Sequence, residues 1–336
     1  MRPILLSGHE RSLTQIKYNA EGDLLFSCSK DTIVNVWFSH NGERLGTYEG
    51  HNGTVWTCDV DSTSTVLFTG SADNTLKMWK VGDGTCVKTW EFPTAVKRVA
   101  LSRDDSRILA VTERRMGFPA TLRIFRVNYE DLENQADEPE VYIEIDNDDP
   151  KPSVAIWSYL DKYIITGHEH GRIALWDPIE GEEINSTESV HEKTVTDIQT
   201  SPDGTYVVTT SKDQTAKIID IKTLKVIKEF KTETPLNSAA IIPSRPYIVL
   251  GGGQEAMSVT TTSARQGHFE VRFWHRIFEE EVARVKGGFG PCNTIAVHPK
   301  CHGYSIGGED GYVRVHHFDE DFFRSKPYGA DMEPDD

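Results

Sequence analysis

Little in this sequence assigns it to a class by presence alone. Cysteine is scarce: the chain holds five, Cys28, Cys58, Cys86, Cys292 and Cys301, an odd number with no Cys-x-x-Cys spacing. A disulfide framework is therefore excluded, and thiols in or beside strand-like segments read as small apolar residues in a reducing compartment. No stretch approaches the roughly 18 consecutive apolar residues of a membrane-spanning helix. The opening Met1-Arg2-Pro3-Ile4-Leu5-Leu6-Ser7-Gly8 has too short an apolar run for a signal peptide. Positive charge is also short, with 36 Lys and Arg against 52 Asp and Glu, a net charge of −16. Without a basic stripe the chain is a poor candidate for gripping a phosphate backbone by itself, although RNA contact through a complex stays open.

The negative charge is concentrated. Residues 130–149 hold ten acids and no bases, and residues 319–336 hold seven acids and two bases, so the remainder carries about −1. Acidity belongs to one insertion, about 128–150, and to the tail 319–336. For the insertion, a solvated loop and an electrostatic contact for a basic partner are both open readings. In the tail only Phe322, Phe323 and Tyr328 offer apolar anchors, which predicts disorder in isolation or order on a partner.

What is present is a repeat. The run from Gly50-His51 to Trp79-Lys80 passes through Val55–Val60 and Val66–Ser71, each of strand length, with Gly, Asp, Asn and Ser where turns need them. His51, Ser71, Asp73 and Trp79 recur upstream as His9, Ser29, Asp31 and Trp37, and downstream as His191, Ser211 and Asp213, with Ile219 in the tryptophan slot. In every copy the Asp lies six residues before the last slot and the Ser two before the Asp. This pattern resembles the WD repeat, one blade of a β-propeller. Equivalent slots at Trp37, Trp79, Phe125, Trp176, Ile219, Trp274 and His316 are 42, 46, 51, 43, 55 and 42 residues apart. That predicts seven blades near the usual period of about 40–45 residues. Although 336 residues would ordinarily suggest two domains, the expectation is one all-β seven-bladed propeller over 1–318.

In the WD family the first strand completes the last blade, and Ile4–Leu6 fits that role, leaving no large open edge. The repeat His, Ser, Asp and Trp form a buried hydrogen-bond chain in that family, so the Ser-His-Asp sets here are structural and not catalytic triads. Blade three has Phe92-Pro93-Thr94 in its Gly-His slot, and Glu113–Ala120 replaces its usual turn. Blade four has His168-Glu169-His170-Gly171 where other blades carry Ser and Asp; His-x-His lacks a third and fourth ligand at a suggestive spacing. Gly251-Gly252-Gly253 has neither a following helix nor Gly-Lys-Ser/Thr, so it is no phosphate loop. Arg276–Val285 has a helical composition, but the repeat places an outer strand there. Blade seven has Phe289 in its His slot, which leaves its chain incomplete. No metal, cofactor or catalytic set is expected.

The insertions 114–120 and 254–268 project from the face that carries the blade connections. The opposite face carries Asp203 and Asp220 of blade five, with the partly apolar turn Pro243–Tyr247 of blade six alongside. Two carboxylates beside an apolar groove suit a helix bearing Lys or Arg; equally, Asp satisfies backbone groups at turns.

Several segments carry a narrower resemblance: Gly8–Asn19, Gly22–Asp31, Asn41–Thr47, Leu250–Ala256, Val259–Ala264 and Gly307–Gly311. They are similar to the i-subunit family of eukaryotic translation initiation factor 3, partly in loops whose identity the fold does not dictate. The resemblance implies a non-catalytic cytoplasmic scaffold that binds the C-terminal helix of the b subunit, contacts the g subunit, and works on the small ribosomal subunit in initiation and scanning. It implies the b-subunit helix on blades five and six, at Asp203, Asp220 and Tyr247; Gln254 matches the family loop and either contacts a partner or braces that loop. The alternatives are a ubiquitin-ligase substrate receptor or signalling adaptor, and an enzyme on a propeller scaffold. The receptor motif Trp-Asp-x-Arg is absent, the tetrads being Trp37-Phe38-Ser39-His40, Trp79-Lys80-Val81-Gly82 and Trp176-Asp177-Pro178-Ile179. A G-protein β subunit would need an N-terminal coiled coil, whereas the propeller pattern starts at residue 4. Fold alone does not separate the remaining functions.

Overall fold

The computed structural model describes residues 3–253, 269–286 and 288–326. Seven four-stranded antiparallel sheets follow one another along the chain, making the seven blades that the repeat predicts. Six are simple meanders. The seventh takes Cys292–Val297, Gly303–Gly308 and Val313–His317 from the end of the chain and Ile4–Leu6 from its start, in the register Ile4↔Val315, Leu5↔Arg314, Leu6↔Val313.

The second strand of each blade explains why these segments are apolar on both sides. Val66–Ser71 is buried at all six positions, as is Gly303–Gly308, because each blade is packed between two neighbours. Seven hydrophobic clusters result, one for each blade-to-blade interface, in place of a single central core. Close approach sets side-chain size at one repeated position. A Cβ on Gly70, Gly167, Gly251 or Gly307 would lie 2.7, 2.7, 2.5 or 2.6 Å from Val96, Val195, Ile295 or Thr294 respectively.

The first strands of all seven blades line a central channel, and each carries a β-bulge at the same place near its start, at one mouth of that channel, which leaves one extra residue unpaired. The bulged residues are Thr14, Trp56, Lys97, Ser153, Thr196, Asn237 and Asn293. Five of them tie their blade to the next by donating to its backbone: Thr14 to Val55 O (2.5 Å), Ser153 to Val195 O (2.5 Å), Thr196 to Leu236 O (3.0 Å), Asn237 to Cys292 O (2.9 Å) and Asn293 to Leu13 O (3.0 Å). Farther down the channel, inner-strand side chains accept from the next blade's amides, as Asp59 does from Leu101 and Asp197 from Ala239. These side chains satisfy the free edge of each inner strand.

Parts of the acidic insertion are ordered against the propeller, although most of its acidic side chains stay exposed. Val141–Glu144 is the outer strand of blade three. The segment before it lies across the outer strand of blade two, Cys86–Glu91: Trp90 Nε1 donates to Ala136 O (2.8 Å), Lys88 pairs with Asp137, Lys80 pairs with Glu133, and Leu132 packs against the apolar cluster beneath. Gln135 is buried and bonds to both the amide and the carbonyl of Asn128. Charge density hid this order because only a few irregularly spaced apolar residues, Leu132, Val141 and Ile143, anchor an otherwise acidic segment. In blade six the repeat prevails over helical composition: Glu280–Lys286 is a strand. The described part of the tail forms a short helix, Glu320–Arg324, with Phe322 stacked 4.0 Å from Phe318 and its carbonyl held by Arg245, while Tyr328 lies outside the described residues.

Candidate partner-binding site

The repeat residues assemble in blades one, two and five, but with a different hydroxyl from the one the spacing suggested. Trp79 Nε1 donates to Thr69 Oγ1 (2.8 Å), Thr69 bonds His51 Nε2 (2.7 Å), and His51 Nδ1 reaches Asp73 (2.9 Å). Blade one repeats the chain with Trp37, Ser27, His9 and Asp31, and blade five with Thr209, His191 and Asp213. Ser29, Ser71 and Ser211 stand two residues later. Each instead donates to a backbone carbonyl and accepts the amide of the repeat Asp, bracing the turn. Ile219 brings no donor, so the blade-five chain stops at Thr209. Burial works against the Asp73 and Asp213 carboxylates, but bonds from His, Thr and a backbone amide outweigh it and hold both below the usual range. These bonds engage both carboxylates within their own blades. Among the described residues no group of three or more His, Cys, Asp or Glu is disposed to hold a metal.

Blades without the tetrad use other buried polar groups. His168, in the serine slot of blade four, bonds Thr166 through Nε2 (2.8 Å) while Trp176 donates to the same hydroxyl; Nδ1 bonds Pro150 O. Blades six and seven use buried arginines, Arg272 with Glu233 and Glu281, and Arg314 with Asp310. Arg172 of blade four meets Asp149, Glu183 and Glu188. The spacing offered a signal that was missed: Arg123, Arg272 and Arg314 all sit two residues before the tryptophan slot of blades that lack the His–Asp pair.

Asp203 and Asp220 lie on the face opposite the blade connections and flank one tyrosine. Tyr206 is paired across the sheet with Asp220; burial first, and Asp203 beside it, oppose its ionisation. Both acids also serve their own turns. Asp203 accepts from the Ser201 hydroxyl (2.6 Å) and from Thr205, and Asp220 accepts from the Thr223 amide (2.8 Å) and hydroxyl (2.7 Å). These bonds hold both carboxylates below the usual range, so both are ionised at neutral pH. Tyr247 is half-buried, its ring 5.5 Å from His275, and packs with the blade six–seven cluster. Gln254 lies outside the described residues.

Two groups at this face were absent from the sequence reading. Arg276 reaches from blade six to bond the Tyr206 hydroxyl and stack on its ring, so it links the two blades beside the acids. Exposed apolar side chains follow along the same seam: Val226 and Ile227 on the outer strand of blade five, and Ile277 and Phe278 in the blade-six turn, joined by Lys228, which donates to Ile277 O and pairs with Glu279.

Comparison with known proteins agrees along nearly the whole molecule. The EIF3I family model matches residues 1–327. The chain is 60% identical to "Eukaryotic translation initiation factor 3 subunit I" of Mycosarcoma maydis, over 99% of this chain and 98% of that protein. The subunit I of Schizosaccharomyces pombe is 57% identical over 97% and 99%, and that of Aspergillus oryzae is 58% identical over 96% of each. Seven blades, a structural His–Asp network and this breadth of identity lead to one assignment: the chain belongs to the EIF3I family, subunit I of eukaryotic translation initiation factor 3.

Proposed function

We propose that this chain is a non-catalytic cytoplasmic scaffold of the initiation factor, which holds the C-terminal helix of the b subunit against blades five and six and also engages the g subunit, on the small ribosomal subunit during initiation and scanning. The observation that carries the reading is the seam itself. Two ionised carboxylates flank Tyr206, and beside them Val226, Ile227, Ile277 and Phe278 expose apolar surface at the junction of two blades. An amphipathic helix fits such a seam by laying its apolar stripe along those side chains and setting Lys or Arg against the acids. The turn bonds on Asp203 and Asp220 are compatible with this role, because they fall on Oδ1 and orient each carboxylate.

The test is calorimetric titration of the whole chain with the C-terminal segment of its own organism's b subunit, repeated with Asp203→Lys and Asp220→Lys. Each substitution also removes turn bonds, so thermal melts check that both variants remain folded. Expected is wild-type binding that weakens at least about tenfold in each variant, the size of one lost charge-assisted contact plus a repulsion. Undiminished binding in folded variants moves the interface elsewhere, and no wild-type binding removes the reading.

A further inference from the structure

The ring of bulged residues at the channel mouth is broken in one place. Five blades use Thr, Ser or Asn to bond the next blade, whereas consecutive blades two and three present Trp56 and Lys97, whose side chains make no such bond. Lys97 Nζ lies 3.9 Å from the centre of the Trp56 ring and 3.8 Å from a Glu113 oxygen. Arg115 is near enough to disfavour the Lys97 charge further, after burial. Above them stands the hairpin that replaces the ordinary blade-three turn. It closes with reciprocal backbone bonds between Arg115 and Phe118, and Arg114 pins its base by donating to the carbonyls of Asp146, Asn147 and Asp149. That anchorage leaves the tip outward: Met116 is 84% exposed and Phe118 49%.

We propose that this edge of the channel mouth is a docking site for an extended peptide segment presenting a carboxylate next to an apolar side chain. Charge complementarity selects the occupant. Lys97 pairs with one carboxylate, Glu113, while Arg115 adds a second positive charge near Lys97, a local excess on a chain whose net charge is −16. An incoming carboxylate completes the set, and its apolar neighbour covers Met116 and Phe118, whose exposure is otherwise uncompensated. Single-stranded RNA fits less well. Lys97 already occupies a face of the indole that would stack a base, and the equivalent turn positions carry three acids, Glu113, Glu169 and Glu309, against two bases, Lys30 and Lys212, which leaves no net positive ring for a phosphate backbone. The site is on the face opposite Asp203 and Asp220, so it is independent of the proposed helix seam and both can be filled together.

The experiment selects phage-displayed random dodecapeptides on the full chain and titrates the enriched peptides, fluorescently labelled, by anisotropy. The same titrations use Lys97→Gln/Arg115→Gln, Met116→Ser/Phe118→Ser and Asp220→Lys, with a 12-nucleotide oligouridine as a second probe. Expected are peptides with Asp or Glu beside Phe, Leu or Met that bind about tenfold more weakly to each of the first two variants and unchanged to Asp220→Lys. The exposed Met116 and Phe118 can be replaced without unfolding the chain, so loss in that variant reports docking. Enrichment of no such peptide, equal binding to all variants, or loss of oligouridine binding alone in the Lys97/Arg115 variant would each overturn the proposal.

Discussion

At the residue scale the molecule depends on which polar atoms are shared. Thr69 holds both Trp79 and His51, whereas Ser71 only braces a turn. Thr69→Val therefore leaves two buried groups unpaired and costs about 2–4 kcal/mol, while Ser71→Ala costs about 1 kcal/mol, as urea unfolding of the two variants would show. The repeat motif alone could not rank these two positions, because the hydroxyl of the relay alternates between Ser and Thr while the turn serine is constant. Buried histidines set the acid limit. Burial first, then Arg314, pushes His316 down to about 4, and burial pushes His298 down to about 4 as well. The unfolded imidazole titrates near ~6.5, so between that value and about 4 the unfolded chain binds more protons and stability falls as pH falls. The depressed carboxylates of Asp73 and Asp213 extend the loss to pH values below their ordinary range of about 4. His316 is stacked 4.7 Å from Tyr304 and its Nδ1 has no partner among the described residues, so His316→Phe keeps the contact and flattens the decline in Tm from pH 6.5 to 4.

At the element scale, strands were legible and their coverings were not. Periodic apolar bursts marked Val66–Ser71 and its equivalents because both faces are buried, and the tryptophan slots align across the sheets: Trp37 opposite Leu25, Trp79 opposite Leu67, and His316 opposite Tyr304. The acidic insertion escaped that logic. Its few apolar side chains are spaced irregularly, and its fit to Trp90 and Lys88 depends on a strand from a different blade. Its role as a strap predicts a local effect. Replacing residues 130–138 by a Gly/Ser linker removes the bond to Trp90 and the pairs to Lys80 and Lys88. Hydrogen exchange in Cys86–Glu91 should then accelerate by about tenfold or more while the outer strand of blade five stays protected, since local opening follows local contacts. The Arg276–Tyr206 link was equally invisible, because residues 70 apart in sequence meet only once blades five and six are in register.

At the scale of the whole molecule, seven interfaces of similar kind share the stability, and closure depends on three paired residues. Removing residues 1–6 strips Val313–His317 of its partner and opens the ring between blades seven and one, where Leu6, Leu13, Trp37 and Val315 form one cluster. The shortened chain should lose its monomeric peak in gel filtration and move to larger species as the open edge pairs between molecules. The near-zero net charge outside the insertion and tail offers no alternative long-range force to hold the ring shut. Ring closure also has a timetable. Ile4 meets Val315, about 310 residues later; at about 5–20 residues per second a ribosome takes roughly 15–60 s to span that distance. Throughout that interval the first strand emerges early and has no partner. Its brevity is then protective: three residues are too few to seed a wrong sheet while waiting, yet enough to latch a ring that six finished blades have already shaped.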